Sequence, residues 1–189
     1  MFHNIYKLSP PIDLRGRMIA DSMEKMFNEQ IAAETASAAL YWAMGSFLRV
    51  EDYPGMAHHM ECRAKEGLRR SILLYRQLLA RGGRPSFGPA SQPPSSWDGP
   101  MHVFRSVFAH EERVSAKLHS MVDMAIEARD HASHQFLMPL VGEQVGLLAD
   151  ARSNLARLRK IGDDRQSLLS FDDALATRPL PFLMGIGEE

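Results

Sequence analysis

The sequence predicts an all-α protein that folds as an up-down four-helix bundle. Four stretches of about 30 residues place apolar side chains at positions i, i+3, i+4 and i+7, which share one face of a helix. Turns rich in Gly and Pro separate the stretches, and a shorter helical segment follows the fourth. With 189 residues and 45% hydrophobic content, the chain is long enough for one domain with a sizeable core.

The composition excludes several kinds of partner. The charges nearly balance, with 22 Lys and Arg against 23 Asp and Glu, and no basic run is present, so nucleic acid is not expected as a partner. Cys62 is the only cysteine in the sequence, which excludes an internal disulfide and fits a reducing compartment. No signal peptide is evident, and no apolar run approaches the roughly 20 residues of a membrane span. We expect a cytoplasmic protein with no membrane partner.

The first helix is expected to begin at Arg17, after an irregular arm at residues 1–16 that contains a Pro-Pro pair. A carboxylate lies in the middle of its otherwise apolar inward face, and Tyr41 on the same face is expected in the core. This face consists of Phe27, Ile31, Glu34, Ala38, Tyr41, Gly45 and Leu48. The turn EDYPG at 51–55 ends the helix.

The second helix begins at Pro54 and is expected to end at the Gly82-Gly83 pair, because glycine readily adopts the left-handed conformation that follows a helix. A cation lies at the edge of its inward face. The face consists of Met60, Ala64, Gly67, Ser71, Leu74 and Leu78, with Arg70 beside it. Arg70 either pairs with an inward carboxylate or extends along the surface with its charge in water.

A connection rich in Pro, Gly and Ser follows, ending near residue 99. About 15 extended residues can cover roughly 50 Å, whereas a helix of about 28 residues is only about 42 Å long. The connection can therefore run the whole length of the bundle. This permits the second and third helices to point in the same direction, as they do in bundles with one long crossover.

Asp98 is expected to cap the third helix, since its carboxylate can accept backbone N–H bonds. The inward face consists of Phe104, Val107, Phe108, Glu111, Val114, Leu118, Met121 and Ala125. The fourth helix is expected from about Asp130 to about Lys160, and Pro139 should kink it or delay its start. Its inward face consists of Leu137, Leu140, Val141, Gln144, Leu147, Leu148, Ala151, Leu155 and Leu158.

The last part of the chain is expected to form a short fifth helix within residues 165–178 and an apolar tail at 179–189. The tail contains Phe182, Leu183 and Met184, which is unusual for a terminus that frays in solvent. We therefore expect the tail to dock on the bundle or on a partner. The bundle with its fifth helix occupies residues 17–178.

These features together resemble the ferritin family over about Arg17 to Arg178. The matching positions fall in register without a gap: Glu34 followed by Tyr41, the RGGR run at 81–84, Glu111 after His110, the Glu143-Gln144 pair and the short fifth helix. The resemblance implies a ferritin-like bundle with a long crossover between the second and third helices. It also implies iron storage or handling, and a homo-oligomeric shell of up to roughly 24 subunits.

The resemblance also indicates a degenerate oxidation centre. Ferritins that oxidise iron hold two irons with a Glu from the first helix, Glu-x-x-His from the second, a Glu from the third, and a Gln and acids from the fourth. This sequence keeps Glu34, Glu111 and Gln144 as vestigial metal ligands. Gly67 and Arg70 replace the Glu-x-x-His pair. A one-residue shift would align Glu66 with Arg69 instead, and the imidazole would still be missing.

We therefore hypothesise that the Arg70 guanidinium replaces the metal, and that Gly67 vacates space for it. Iron binding remains possible, but a di-iron centre is not expected, and ferroxidase activity should be weak or absent. Glu66 and Glu143 are expected at or near the surface. Separately, His58, His59 and Cys62 have the spacing of a helical metal site, although a solvated face with one small buried cysteine fits the same pattern.

Three functions fit this pattern. The first is a ferritin-like subunit without an efficient oxidation centre of its own, in a homomeric shell or in a mixed shell with an active ferritin subunit. The second is an iron-free structural or interaction bundle derived from ferritin, whose arm and tail bind a partner. The third is an active ferroxidase with an altered ligand set, for which an imidazole and at least two carboxylates are missing.

Overall fold

The computed structural model describes residues 18–87 and 92–179, which form five α-helices and no strand. This confirms the expected fold class of four long helices and one short C-terminal helix. The helices are α1 (Asp21–Val50), α2 (Pro54–Ala80), α3 (Pro100–Glu127), α4 (His131–Ile161) and α5 (Arg165–Ala176). The expected arm at 1–16 and the apolar cluster of the tail lie outside the described residues.

Local chemistry explains where the helices begin and end. Pro54 and Pro100 occupy the first turns of α2 and α3, where a missing N–H costs nothing. The carboxylate of Asp130 accepts a 3.0 Å bond from the N–H of Ser133 and so caps α4. Gly82, with φ of 72°, follows the end of α2 in the left-handed region that favours glycine.

Three expectations about helix ends need correction. α1 begins at Asp21 rather than at Arg17. Gly99, with φ of 108°, precedes α3 in the capping position, and the carboxylate of Asp98 instead lies 3.2 Å from Nδ1 of His102. α4 begins at His131 and includes Pro139, so of the two expected effects of the proline, a kink or a delayed start, the delayed start is wrong. A cap at one end and buried leucines on either side of the proline hold these turns helical.

Side-chain contacts establish the topology. α1 and α2 are antiparallel, because Thr35 meets Ser71 at 3.2 Å while Arg49 pairs with Glu61 at 2.7 Å. α3 is antiparallel to α1 as well, since the partners of α3 residues 111 and 117 on α1 are residues 41 and 29. α2 and α3 therefore run in parallel, and the connection between them spans the bundle. α4 is antiparallel to α2.

The core consists of two apolar clusters, one at each end of the bundle. The first includes Tyr41, Met44, Met60, Phe104 and Phe171, and the second includes Phe27, Ile31, Leu74, Leu118 and Leu137. The inward faces expected for α1 and α2 are buried throughout. Four side chains expected in the core are only half-buried: Phe108, Val141, Leu147 and Leu148. The polar residues at mid-length lie between the two clusters.

α5 docks on the start of α2. The carboxylate of Asp172 accepts bonds of 2.9 and 2.7 Å from the N–H groups of Gly55 and Met56, which have no partner within their own helix. A Cβ on Gly55 would lie 1.8 Å from the carbonyl oxygen of Asp172, so this contact requires glycine. Among the described residues, no helix is both long and apolar enough to span a membrane.

Candidate functional site

A layer of buried polar side chains crosses the bundle at mid-length, between the two apolar clusters. We call it the polar layer, and it consists of Gln30, Glu34, Tyr41, Arg63, Arg70, Glu111 and Gln144. Each of these residues is at most 3% exposed. The layer forms because each of the four long helices carries at least one polar side chain near its middle and on its inward face, so these side chains meet at one level.

Glu34 on α1 pairs with Arg70 on α2. Nε of Arg70 donates a 2.9 Å bond to Oε2 of Glu34, and Nε2 of Gln30 donates a 2.8 Å bond to Oε1. Burial raises the pKa of Glu34 above its usual value, and the charge of Glu111 adds to this, while Arg70 and Gln30 oppose the rise. Burial by itself would lower the pKa of Arg70, but Glu34 raises it.

Glu111 on α3 has a richer set of partners. The hydroxyl of Tyr41 donates to Oε1, and Nε2 of Gln144 donates a 2.6 Å bond to Oε2. Nη2 of Arg63 lies 3.6 Å from Oε1. Burial would raise the pKa of Glu111, but the charge of Arg63 and the two hydrogen bonds outweigh it, so the pKa falls below its usual value. Burial and the neighbouring Glu111 charge raise the pKa of Tyr41 well above its ordinary range.

The sequence analysis missed Arg63, which is 1% exposed and is the largest fully buried side chain among the described residues. Its Nη2 donates a 3.0 Å bond to the carbonyl oxygen of Leu147, and Nη1 lies 3.7 Å from Oε2 of Glu66. The signal was present, because Arg63 precedes Arg70 by seven residues and therefore shares its side of α2. The layer thus contains two guanidinium groups and two carboxylates.

Gly67 does not provide space for Arg70. A Cβ at this position would lie 3.2 Å from the carbonyl oxygen of Glu34 and 3.5 Å from the backbone nitrogen of Ala38. The room left by the missing side chain is filled by the backbone of α1. Gly67 therefore allows α1 and α2 to approach closely, and this approach brings Arg70 within reach of Glu34.

The acids expected near the surface lie at the edge of the layer. Oε1 of Glu66 accepts a 2.7 Å bond from Nη2 of Arg178, which follows α5, and the Glu66 side chain is 17% exposed. Oε2 of Glu143 accepts a 2.5 Å bond from Arg69 and is exposed to solvent. Both acids that flank the layer therefore already have a guanidinium partner.

The spacing of His58, His59 and Cys62 does not produce a metal site. Sγ of Cys62 lies 3.6 Å from Nε2 of His58, but Nε2 of His58 also meets the carbonyl oxygen of Arg178 at 2.7 Å. His59 turns away and stacks on Phe104. Burial, together with the charges of Arg63 and Arg178, lowers the pKa of His59 well below its usual value.

The donor set of the polar layer does not fit a di-iron centre. Glu34, Glu111 and Gln144 supply oxygen atoms of the kind that iron prefers. However, each carboxylate already faces a buried guanidinium, and within residues 18–87 and 92–179 no three His, Cys, Asp or Glu side chains are arranged to hold a metal ion. A metal ion would be a third cation in this volume and would be repelled by the two arginines.

A four-helix bundle with one long crossover, a short C-terminal helix and a polar layer at mid-length has the architecture of ferritin-like proteins. Residues 24–161 match the family model of the ferritin-like domain, and the chain belongs to the ferritin family. This confirms the resemblance on which the sequence analysis relied.

Several ferritins are similar to this chain over most of its length. The bacterial non-heme ferritin of Bacteroides fragilis is 32% identical over 77% of this chain and 92% of its own sequence. That of Staphylococcus aureus is 26% identical over 85% of this chain and 97% of its own. An open-pore ferritin from the archaeon Archaeoglobus fulgidus superposes with a TM-score of 0.84 at 35% identity, covering 85% of this chain and 99% of the archaeal chain.

Proposed function

We propose that this protein is a subunit of a ferritin-like shell that stores or handles iron without an efficient ferroxidase centre of its own. The names of the similar proteins, which are ferritins from bacteria and an archaeon, support the assignment to iron storage. The bond from Nε of Arg70 to Glu34 supports the absence of an efficient ferroxidase centre. This guanidinium lies where the resemblance places the imidazole ligand.

The charge balance of the polar layer supports the loss of the oxidation centre. Two buried carboxylates without a partner would be strongly unfavourable, and an active ferritin neutralises such groups with metal. Here Arg70 and Arg63 supply two positive charges in the same volume. Because arginine keeps its proton at any ordinary pH, this neutralisation cannot be reversed by iron in the way that a lysine or histidine would allow.

Iron handling then depends on other surfaces. In a homomeric shell, iron is mineralised on acidic groups at the inner surface, with slow oxidation in solution. In a mixed shell, a partner subunit with an intact centre oxidises the iron. Either arrangement keeps the fold and the assembly while this subunit contributes no fast oxidation.

The test combines a mass measurement with an iron assay on the purified full-length protein. We expect a large closed oligomer that retains added iron as a mineral, and aerobic Fe(II) oxidation close to that of the buffer. A monomer or small oligomer would contradict the shell. Oxidation far above the buffer would contradict the loss of the centre.

A pair of substitutions tests whether the arginines exclude metal. In Arg63→Gln/Arg70→His, both guanidinium groups are removed and an imidazole faces Glu34, so we expect the protein to gain Co²⁺ or Zn²⁺ binding in competition with a coloured chelator. The matched control is Arg69→His/Arg152→Gln, which makes the same changes of residue type outside the layer. Equal metal binding by the two variants would contradict the proposed role of the arginines.

The second candidate is an iron-free bundle derived from ferritin, and the same layer favours it, since both inward acids are neutralised without metal. The two candidates differ in iron content. A closed shell that takes up no iron, either alone or when co-assembled with an active ferritin, would favour the iron-free bundle.

A further inference from the structure

The Glu111 side of the polar layer contains a concentration of buried polar atoms with unused hydrogen-bonding capacity. Among the described residues, five such atoms lie on or next to this side: Nε and Nη1 of Arg63, Oε2 of Glu66, Oε1 of Gln144 and Oδ2 of Asp150. The Glu34 side has one, Oε1 of Gln30. Leaving a buried donor or acceptor without a partner is unfavourable, so five in one place require an explanation.

The charged contacts around these atoms share an unusual distance. Nη1 of Arg63 lies 3.7 Å from Oε2 of Glu66, and Nη2 of Arg63 lies 3.6 Å from Oε1 of Glu111. Oδ2 of Asp150 lies 3.6 Å from Nε2 of His59 and 3.6 Å from Nη1 of Arg178. All four distances are too long for direct hydrogen bonds, but each pair of atoms could be joined by a bridging water. By contrast, Arg70 bonds directly to Glu34 at 2.9 Å.

These atoms connect to a pocket between α2, α4 and the end of α5. The pocket has a volume of about 580 Å³, and its walls include Glu66, Leu147, Asp150 and Arg178, together with Arg70 of the polar layer. Arg63 lies directly behind this wall, since it bonds to the carbonyl oxygen of Leu147 and faces Glu66. A water molecule occupies about 30 Å³ in the liquid, so the pocket can hold several water molecules next to the buried polar atoms.

We propose that the Glu111 side of the layer is a water-binding channel, in which water enters from this pocket, passes Glu66 and Asp150, and bridges Arg63 to Glu111 and Gln144. Water suits the site better than an ion because the unused atoms include both donors and acceptors. The charges along the path alternate in sign, from Glu66 to Arg63 to Glu111, so neither a cation nor an anion is favoured. On the Glu34 side, no water is needed between Arg70 and Glu34, because these two groups bond to each other directly.

The channel gives the buried carboxylate of Glu111 contact with solvent although the residue is only 1% exposed. It also places water beside the hydroxyl of Tyr41, which donates to that carboxylate. This inference concerns the hydration of the subunit and does not depend on whether the protein stores iron.

Radiolytic labelling tests the channel. The intact assembly is irradiated in H₂¹⁸O and then digested, and mass spectrometry of the peptides measures the ¹⁸O added to each side chain. Radiolysis converts bound water to hydroxyl radicals, which oxidise the side chains that the water touches. Tyr41 should therefore be labelled well above Phe27, which is equally buried but lies in the second apolar cluster, away from the proposed water. If Tyr41 is labelled no faster than Phe27, the layer is dry and the proposal is wrong.

Two glycines on α4 test the route of entry. Gly146 lines the pocket, and Gly142 lies one turn away outside its lining; an added Cβ at either position meets nothing within 4 Å. We expect Gly146→Phe to slow ¹⁸O labelling of Tyr41 severalfold, and Gly142→Phe to leave it unchanged. Equal rates in the two variants would contradict entry through this pocket.

A crystal structure provides a test that needs no variant. Ordered water within hydrogen-bond distance of both Nη1 of Arg63 and Oε2 of Glu66 would support the channel. If these two atoms instead bond directly and no water lies beside Gln144, the channel does not exist.

Discussion

The two buried carboxylates of the polar layer, Glu34 and Glu111, have the same burial but different protonation behaviour. Glu34 has Arg70 and Gln30 as partners, and its burial raises the pKa of the carboxyl. Glu111 receives bonds from Tyr41 and Gln144 and the charge of Arg63, and its pKa is lowered. Burial alone therefore does not determine the charge of an inward acid. The number and direction of its donors decide the outcome.

The largest expected effect comes from removing the cation on the Glu34 side. Arg70→Met leaves Glu34 buried without a positive partner, which should reduce the free energy of unfolding by about 3–5 kcal/mol. Chemical denaturation at fixed protein concentration measures the change. Arg69→Met is the matched control, because the exposed pair with Glu143 should contribute less than about 1 kcal/mol. Similar losses in both variants would mean that the Arg70 pair is no more important than a surface one.

On the Glu111 side, Tyr41→Phe removes one of the two side-chain hydrogen bonds to the carboxylate. A bond to a charged group contributes about 1.5–3 kcal/mol, so we expect a loss of that size in the same denaturation experiment. Tyr75→Phe serves as the control, since Tyr75 is half-buried beside the ring of Phe87 and away from the layer. If Tyr41→Phe leaves the free energy of unfolding unchanged, Glu111 does not need this donor.

The close approach behind the Glu34 side can be tested at Gly67. Gly67→Ala places a methyl group 3.2 Å from the carbonyl oxygen of Glu34, and overpacking of this kind costs about 1–3 kcal/mol. Gly142→Ala should do the opposite and stabilise the protein by about 0.5–1 kcal/mol, because alanine favours a helix and its methyl meets nothing within 4 Å. The midpoint temperature of thermal unfolding should therefore fall in Gly67→Ala and rise in Gly142→Ala. A stabilised Gly67→Ala would show that the two helices can separate at little cost.

The smallest expected effect is a difference between Glu34 and Glu111 in how the free energy of unfolding depends on pH. The folded state lowers the pKa of Glu111, so its contribution to stability is present above the unfolded value near 4.5 and is lost as the pH falls. The folded state raises the pKa of Glu34, so its carboxyl favours folding at low pH and this contribution declines as the pH rises above about 4.5. Glu111→Gln should therefore cost more stability at pH 7 than at pH 4, whereas Glu34→Gln should cost less.

Denaturation of both variants at pH 4 and pH 7 measures these differences. If the loss of stability changes with pH in the same direction in both variants, the pKa values of the two acids do not shift in opposite directions.

Sequence periodicity was sufficient to identify most of the layer. The inward positions of Glu34, Glu111 and Gln144 follow from a repeat of 3.6 residues, which is a local property of each helix. The same repeat would have identified Arg63, because it lies two turns before Arg70. Periodicity failed at the edges of the core, where Phe108 and Leu147 are only half-buried, since the width of a buried face depends on the neighbouring helix.

The sequence by itself determined the class of fold, the order and approximate length of the helices, and the presence of a polar group near the middle of each inward face. Helix periodicity, turn residues and connection length are local properties that can be read from a single chain. Only the tertiary structure decided that Arg70 bonds to Glu34 while Arg63 faces Glu111. It also decided that the backbone of α1 fills the space beside Gly67, and that the pKa values of the two acids shift in opposite directions. Those outcomes depend on distances between helices that are far apart in sequence, and electrostatic energies change steeply with such distances.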